Sequence, residues 1–166
     1  MKSQAERKEL TKYKELVRSI RTGILITRTR GDEMKGRPMA TSQIDDNGDI
    51  WFFTDEFSEK VRDIAKNEYV FVNYSDPSKN NFVVVCGTAT INLDKEKMKQ
   101  LWSPMNRAWF PKGVDDPRLA LIKVEPVEVE YWSGNSNKIV ILFKMIKAIL
   151  KGKGSSGGHV QMSLAS

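Results

Sequence analysis

The chain has 166 residues, 40% of them hydrophobic and 29% charged, with 11 Gly and 6 Pro. That is about one domain's worth, enough to bury a core, and it excludes collagen-like, low-complexity and wholly disordered chains. The net charge of +6 falls almost entirely in residues 131–166, which hold five lysines and no acid; it describes a solvated face or tail rather than a nucleic-acid groove.

In chain order, the apolar residues of 8–20 recur every three or four positions and predict an amphipathic N-terminal helix. Residues 23–29 and 37–44 read as strands on either side of a turn at 31–36. Asn47-Gly48 between apolar runs predicts a hairpin into a return strand at 50–54, because both residues tolerate positive φ. Ser58 then opens a short helix, with its hydroxyl expected to cap the first turn. Strands at 69–74 and 82–91 follow, and Gly87 in the second marks a bulge or a close backbone approach. Asp94 starts a helix, and the Pro- and Gly-rich stretch after Trp102 is loop. Residues 119–132 form a long strand bent at Pro126, and 137–151 read as a last helix before a glycine-rich end. No strand and helix units alternate regularly. The fold expected is mainly β (α+β): a six-stranded antiparallel Greek-key split β-barrel with short peripheral helices. One domain should occupy residues 1–151, with a flexible tail at 152–166.

The longest apolar run, 139–150, is interrupted by Lys144 and Lys147 and falls short of the ~20 residues that span a bilayer. The first twenty residues are too charged for a signal peptide. With Cys86 as the only cysteine, a cytoplasmic, reducing location is the expectation, and no internal disulfide can form. Mid-strand, Cys86 reads as a small core residue. The only histidine, His159, lies in the glycine-rich tail, which argues against a hydrolytic triad. The carboxylates are scattered apart from Asp115 and Asp116, so no metal site is expected. No Walker loop or Rossmann glycine fingerprint is present.

What remains is a phosphate-sized site. Ser58 and Lys60 stand at a helix start just after the aromatic strand Trp51, Phe52, Phe53, Thr54, and Arg37 offers a second cation. Amide groups at a helix N-terminus, a hydroxyl and an ammonium group can hold a phosphate together.

The segments GRPMATS at 36–42, IWFFTDEFSEK at 50–60, FVVVCGTATI at 82–91, LWSPMNRAWFPKGVDDP at 101–117 and VEVEYW at 127–132 resemble the FMN-binding split barrels related to pyridoxamine 5'-phosphate oxidase, in particular the general stress protein 26 branch. The resemblance covers roughly residues 8–150. It implies that Arg37 and Ser42 contact the cofactor with Met39, Ala40 and Thr41 lining the flavin between them. It places Phe53 and Thr54 in the next strand against the cofactor, Lys60 with Ser58 on its phosphate, and Trp132 at the close of the last strand. It also implies FMN, ranked ahead of FAD or a deazaflavin without deciding between them, and a homodimer with the flavin site between subunits. Two departures stand out: Glu59 occupies the place of an arginine, removing a cation, and residues 133–138, directly after Trp132, hold no Arg or His, which argues against oxidation of vitamin B6 phosphates.

The expectation is a stress-response-type flavoprotein, an FMN-dependent oxidoreductase whose substrate and electron donor are not legible. A flavin-binding or redox-sensing module without turnover is the alternative, and nucleic-acid binding through Lys144, Lys147 and Lys151 ranks last. Docking of that lysine-bearing segment on a membrane surface is ranked below its covering a barrel or dimer face.

Overall fold

The computed structural model describes residues 3–143. The first helix, α1 (Gln4–Ile20), starts earlier than its apolar stripe suggests. Ser3 and Glu6 form a reciprocal capping box, with the Glu6 amide donating to the Ser3 hydroxyl and the Ser3 amide to the Glu6 carboxylate. Among the described residues eight strands follow, interrupted by two further α-helices: β1 (Thr22–Arg28), β2 (Met34–Ala40), β3 (Gln43–Ile44), β4 (Ile50–Asp55), α2 (Glu59–Lys66), β5 (Tyr69–Asp76), β6 (Asn81–Asn92), α3 (Lys95–Leu101), β7 (Leu119–Trp132) and β8 (Ile139–Leu142).

All eight strands belong to one curled antiparallel sheet in the order β2-β1-β5-β6-β7-β4-β3, with β8 also paired to β7. Six strands were expected. The run at 37–44 is two strands, because the chain bends at Thr41–Ser42 and changes partner, and residues 139–142 are a strand rather than the start of a helix. There β7 offers a free edge at Glu128–Tyr131. A segment alternating Ile139 and Ile141 inward with Val140 and Leu142 outward satisfies that edge as readily as a helix would satisfy itself. The rest of the expected helix, the lysines at 144, 147 and 151, the tail and His159 lie outside the described residues.

Two turns and kinks set the curl. The β3–β4 connection spans Asp45 to Asp49, with Gly48 alone at positive φ (89°) and the Asp45 carboxylate accepting the Asn47 and Asp49 amides, so the Asn-Gly hairpin exists but is longer than two residues. At Gly87 the β6–β7 register slips. A Cβ there would lie 2.5 Å from the Glu125 carbonyl oxygen, and the bulge brings the two backbones too close for any other residue. On the opposite edge of β7 the partner changes from β4, which pairs as far as Val124, to β8, which begins at Glu128. Pro126, which has no amide to donate, stands in the gap.

The main core lies between the concave face of the sheet and α1, around Tyr13, Leu16, Leu25, Val72, Val85 and Val129. Tyr13 is fully buried and donates its hydroxyl to the Gly48 carbonyl, fastening α1 to the β3–β4 turn. Burial raises its pKa well above the ordinary value, so the hydroxyl stays a donor. A second cluster of Trp51, Met98, Leu101, Leu119 and Leu121 gathers under α3. The convex face is different. Ile24, Phe71, Val140 and Leu142 are exposed on it, and cross-strand pairing lines up Ile26, Phe71, Cys86, Glu128 and Leu142 in one row. Cys86 is therefore a half-buried residue of the outer face and not a core residue, because its neighbours Val85 and Gly87 take the inward positions. Partial burial, then the Glu128 carboxylate, push its thiol pKa up.

Candidate functional site

The sheet order makes β2 and β3 its two ends, yet they are consecutive in sequence and joined only by Thr41 and Ser42. This link closes the curl. It is tied on both sides: the Thr41 amide donates to the Arg21 carbonyl, the Ser42 amide to the Trp51 carbonyl, the Thr41 and Tyr74 hydroxyls share a 2.7 Å hydrogen bond, and the Ser42 hydroxyl donates to the Leu101 carbonyl. Because β3 is two residues long, β4 runs on past it; β2 and β4 come close to each other, and the edge of β4 from Phe53 to Asp55 and the outer edge of β2 have no strand partner among the described residues, which leaves a seam between them. The start of α2 caps one end of that seam. A cavity of about 440 Å³ flanks the link on the α1 side, lined by Arg18, Arg21, Thr41 and Ser42 among others.

At the head of α2 the side chains are arranged by charge. Lys60 is half-buried, donates to the Thr54 hydroxyl at 3.2 Å, and has no carboxylate within ion-pair distance among the described residues. Burial first, and the Arg37 charge second, lower its pKa, against a weaker opposing pull from Asp55. The Thr54 and Ser58 hydroxyls lie 3.4 Å apart beside it. Ser58 occupies the N-cap position of α2 with extended backbone, but its side chain makes no capping hydrogen bond. The expected cap is absent because the hydroxyl is turned to Thr54 and away from the first-turn amides.

Arg37 is otherwise engaged. Its guanidinium donates to the Thr27 hydroxyl at 2.6 Å, Thr27 donates onward to Asp63 at 2.9 Å, and Arg37 itself lies 3.6 Å from the Asp63 carboxylate and 3.8 Å from that of Glu59. Asp63 is only 4% exposed, so this pair is desolvated and geometrically fixed. Glu59 also pairs with Lys35 at 2.6 Å, a hydrogen bond that lowers the Glu59 pKa and raises that of Lys35. The residue read as a missing cation is thus a carboxylate spread over two cations.

The other candidates divide. Met39 packs against the main core and Ala40 is exposed on the edge strand. Phe53 meets Trp102 edge-on, with centroids 5.6 Å apart, and Trp102 and Phe110 line the second core cluster while Trp109 is exposed. Trp132 does not join the rest. It pairs with Phe82 on the convex face, at the far end of β7 from Leu121, the partner of Phe53. That separation is roughly 36 Å of extended strand. Asp63 and Thr27 were missed in the sequence, since their link to Arg37 depends on the β1–β2 register. A helical spacing that puts Asp63 one turn after Glu59 and Lys60 was the only local sign. Among the described residues no group of His, Cys, Asp and Glu is placed to hold a metal, and no helix is long and apolar enough to cross a membrane.

A family model described as pyridoxamine 5'-phosphate oxidase like matches residues 8–155. Protein bli-3 of Neurospora crassa is 25% identical over 145 residues, covering 82% of this chain and 65% of bli-3, so the chain spans just under two thirds of that relative. General stress protein 26 of Bacillus subtilis is 27% identical over 96 residues, covering 56% of this chain and 68% of that one. Among solved structures, the general stress FMN/FAD binding protein of Xanthomonas citri superposes with a TM-score of 0.66 at 28% identity, over 78% of this chain and 92% of its own.

Proposed function

The chain belongs to the pyridoxamine 5'-phosphate oxidase-like family, and from that membership we propose that it binds FMN along the seam between β2 and β4 and acts as a flavin-dependent oxidoreductase. The observation that carries the reading is Lys60. A half-buried ammonium group with no acid partner among the described residues, flanked by two hydroxyls at the start of a helix, is an electrostatic deficit that a phosphate would fill. The description of the Xanthomonas protein as FMN/FAD binding supports the same ligand.

In this reading Lys60, Thr54 and Ser58 hold the phosphate, and the Asp63–Thr27–Arg37 chain keeps the guanidinium at the seam's edge. Arg37 shapes the potential there more than it adds free charge, since two carboxylates already face it. The Thr41 and Ser42 amides are spent on Arg21 and Trp51, so donors to a flavin ring come from the free edge of β2. Met39 and Phe53 supply apolar surface. Bound FMN supplies hydride and electron transfer, and the cavity beside Thr41 and Ser42 leaves room for a small second reactant.

The reading includes a homodimer. An apolar convex sheet face with Ile24, Phe71, Val140 and Leu142 uncovered suits a second copy, and Trp132 reaches a flavin only from a partner chain. The test is an absorption spectrum of the purified protein after added FMN is removed by gel filtration. Retained oxidised-flavin bands support the reading; a colourless protein at micromolar concentrations overturns it. Anaerobic addition of NADH or NADPH then separates an oxidoreductase, whose flavin bleaches and recovers with an acceptor, from a flavin-holding module that does neither.

A further inference from the structure

The cavity of about 440 Å³ beside the Thr41–Ser42 link is lined by two arginines, Arg18 and Arg21, and neither has a carboxylate within 4 Å among the described residues. The two acids that share the lining are already engaged. Asp45 accepts the Asn47 and Asp49 amides on one oxygen and the Trp51 indole N–H on the other, and Asp46 pairs with Lys14 at 3.2 Å. With Lys14 counted beside Asp46, three cations stand against two carboxylates, an excess of one positive charge. The last carbonyls of α1 oppose it with about half a negative charge, but the Val17 carbonyl already accepts the Arg21 amide and the Leu16 carbonyl the Ser19 hydroxyl.

The backbone at Arg21 is strained. It takes φ 71° and ψ −48°, a combination that residues with a side chain rarely adopt, and it is kept there by its own amide on the Val17 carbonyl and by the Thr41 amide on its carbonyl. Glycine would take this conformation at no steric cost, so the turn itself does not call for an arginine. The Arg18 guanidinium is placed at the cavity wall by the Ile44 carbonyl, which accepts it at 3.4 Å, a bond long enough to yield to a charged acceptor. The Gln43 carboxamide, on another lining residue, has no hydrogen bond to the described residues. Val17 and Ile44, both buried, supply apolar surface to the same cavity.

We propose that this cavity is a binding site for a small organic carboxylate, its charged group held by Arg18 and Arg21, its carbon skeleton against Val17 and Ile44, and a polar group at its other end met by Gln43. The planar fork of a guanidinium matches a carboxylate with two parallel hydrogen bonds, which a lysine in either place would not. Inorganic phosphate has the charge but no carbon to set on the apolar wall, and the cavity exceeds the roughly 300 Å³ at which pockets for small organic ligands begin. The site does not rest on the flavin reading, since Arg18, Arg21 and Gln43 are not among the groups assigned to the phosphate at Lys60.

The test is isothermal titration of the full chain with succinate, with succinamide as its uncharged counterpart and with inorganic phosphate, in the wild type, Arg18→Gln and Arg21→Gly, each melted in parallel to follow folding. The expected result is saturable succinate binding with a Kd at or below about 1 mM, succinamide and phosphate each at least about tenfold weaker, and a loss of at least about tenfold for succinate in either variant. Arg21→Gly should melt close to wild type, because glycine relieves the positive φ, so its loss of succinate at an unchanged melting temperature is an outcome that a merely structural arginine would not give. No saturable succinate binding at about 10 mM overturns the site. So does succinamide bound as tightly as succinate, phosphate bound as tightly as succinate, or full succinate affinity in both variants, which would put the anion elsewhere on the protein.

Discussion

Replacing Lys60 with methionine keeps most of the length of the side chain and removes its charge, which makes it the sharpest probe of the seam. Lys60 contributes a charged donor to any phosphate at the head of α2, and such bonds are worth about 1.5–3 kcal/mol, so FMN affinity should fall roughly 10- to 150-fold. Riboflavin, which has the ring and ribityl chain but no phosphate, should bind Lys60→Met as it binds wild type. The free protein should not be weakened at all. Lys60 is a partly desolvated cation without an acid partner among the described residues, so its protonated form is disfavoured by folding. The sign follows from its lowered pKa: between the folded value and the ordinary lysine range near ~10.4, the unfolded chain binds more protons, and wild-type stability rises with pH across that window relative to Lys60→Met. FMN affinity should move the other way, falling as pH rises through the lowered value, whereas Lys60→Arg holds its affinity to higher pH because guanidinium does not deprotonate. The assay is quenching of flavin fluorescence from pH 7 to 10, with urea unfolding of the free proteins. A parallel loss of riboflavin and FMN, or an unchanged FMN affinity, refutes the assignment of Lys60 to the phosphate.

Three further outcomes are expected. Ser58→Ala should cost less than about 0.5 kcal/mol in urea unfolding, below the typical ~1 kcal/mol of a lost cap, because no capping bond exists to lose, while FMN binding weakens a few-fold. Gly87→Ala should destabilise by about 1–3 kcal/mol, since its Cβ would meet a backbone carbonyl that only a shift of β6 against β7 can relieve; Gly31→Ala, with open space around it, is the near-neutral control in the same melting experiment. Phe71→Lys on the convex face should turn dimers into monomers in sedimentation with little loss of monomer stability, and monomeric wild-type protein would remove the dimer from the functional reading.

Much of the fold is legible in the sequence because its signals are local. The alternation of residues 119–132, the Asp94 cap and the glycine at 87 each name their structure within a few residues, and β7 has the expected bounds. The segment 139–142 was not legible, since an apolar run satisfies a helix or a free strand edge equally well, and only the pairing with β7 decides. The bend at Thr41–Ser42 is likewise set by tertiary partners, the Arg21 and Trp51 carbonyls. At the site, the grouping of Ser58 and Lys60 was legible from a strand running into a helix start. The role of Glu59 was not: its charge reads as a loss until the register of β1 and β2 brings Lys35, Arg37, Thr27 and Asp63 around it.

The seam has a kinetic consequence. Its residues are close in sequence, from 37 to 60, but β2 is fastened to the sheet through β1 and β5, and β4 through β7, two pairings that each span a long loop of chain. Both must form before the edges of β2 and β4 stand opposite each other, and pairings of such sequence separation form slowly. In the reading proposed above, a chain with its hairpins made but its sheet still open has the local turn of Thr54, Ser58 and Lys60 but not the seam beside it. Cofactor capture would then be a timer for the last step of barrel closure: flavin fluorescence during refolding should quench after the far-UV signal has recovered, and a ligand that recognises only the closed seam should slow its reopening without hastening its formation.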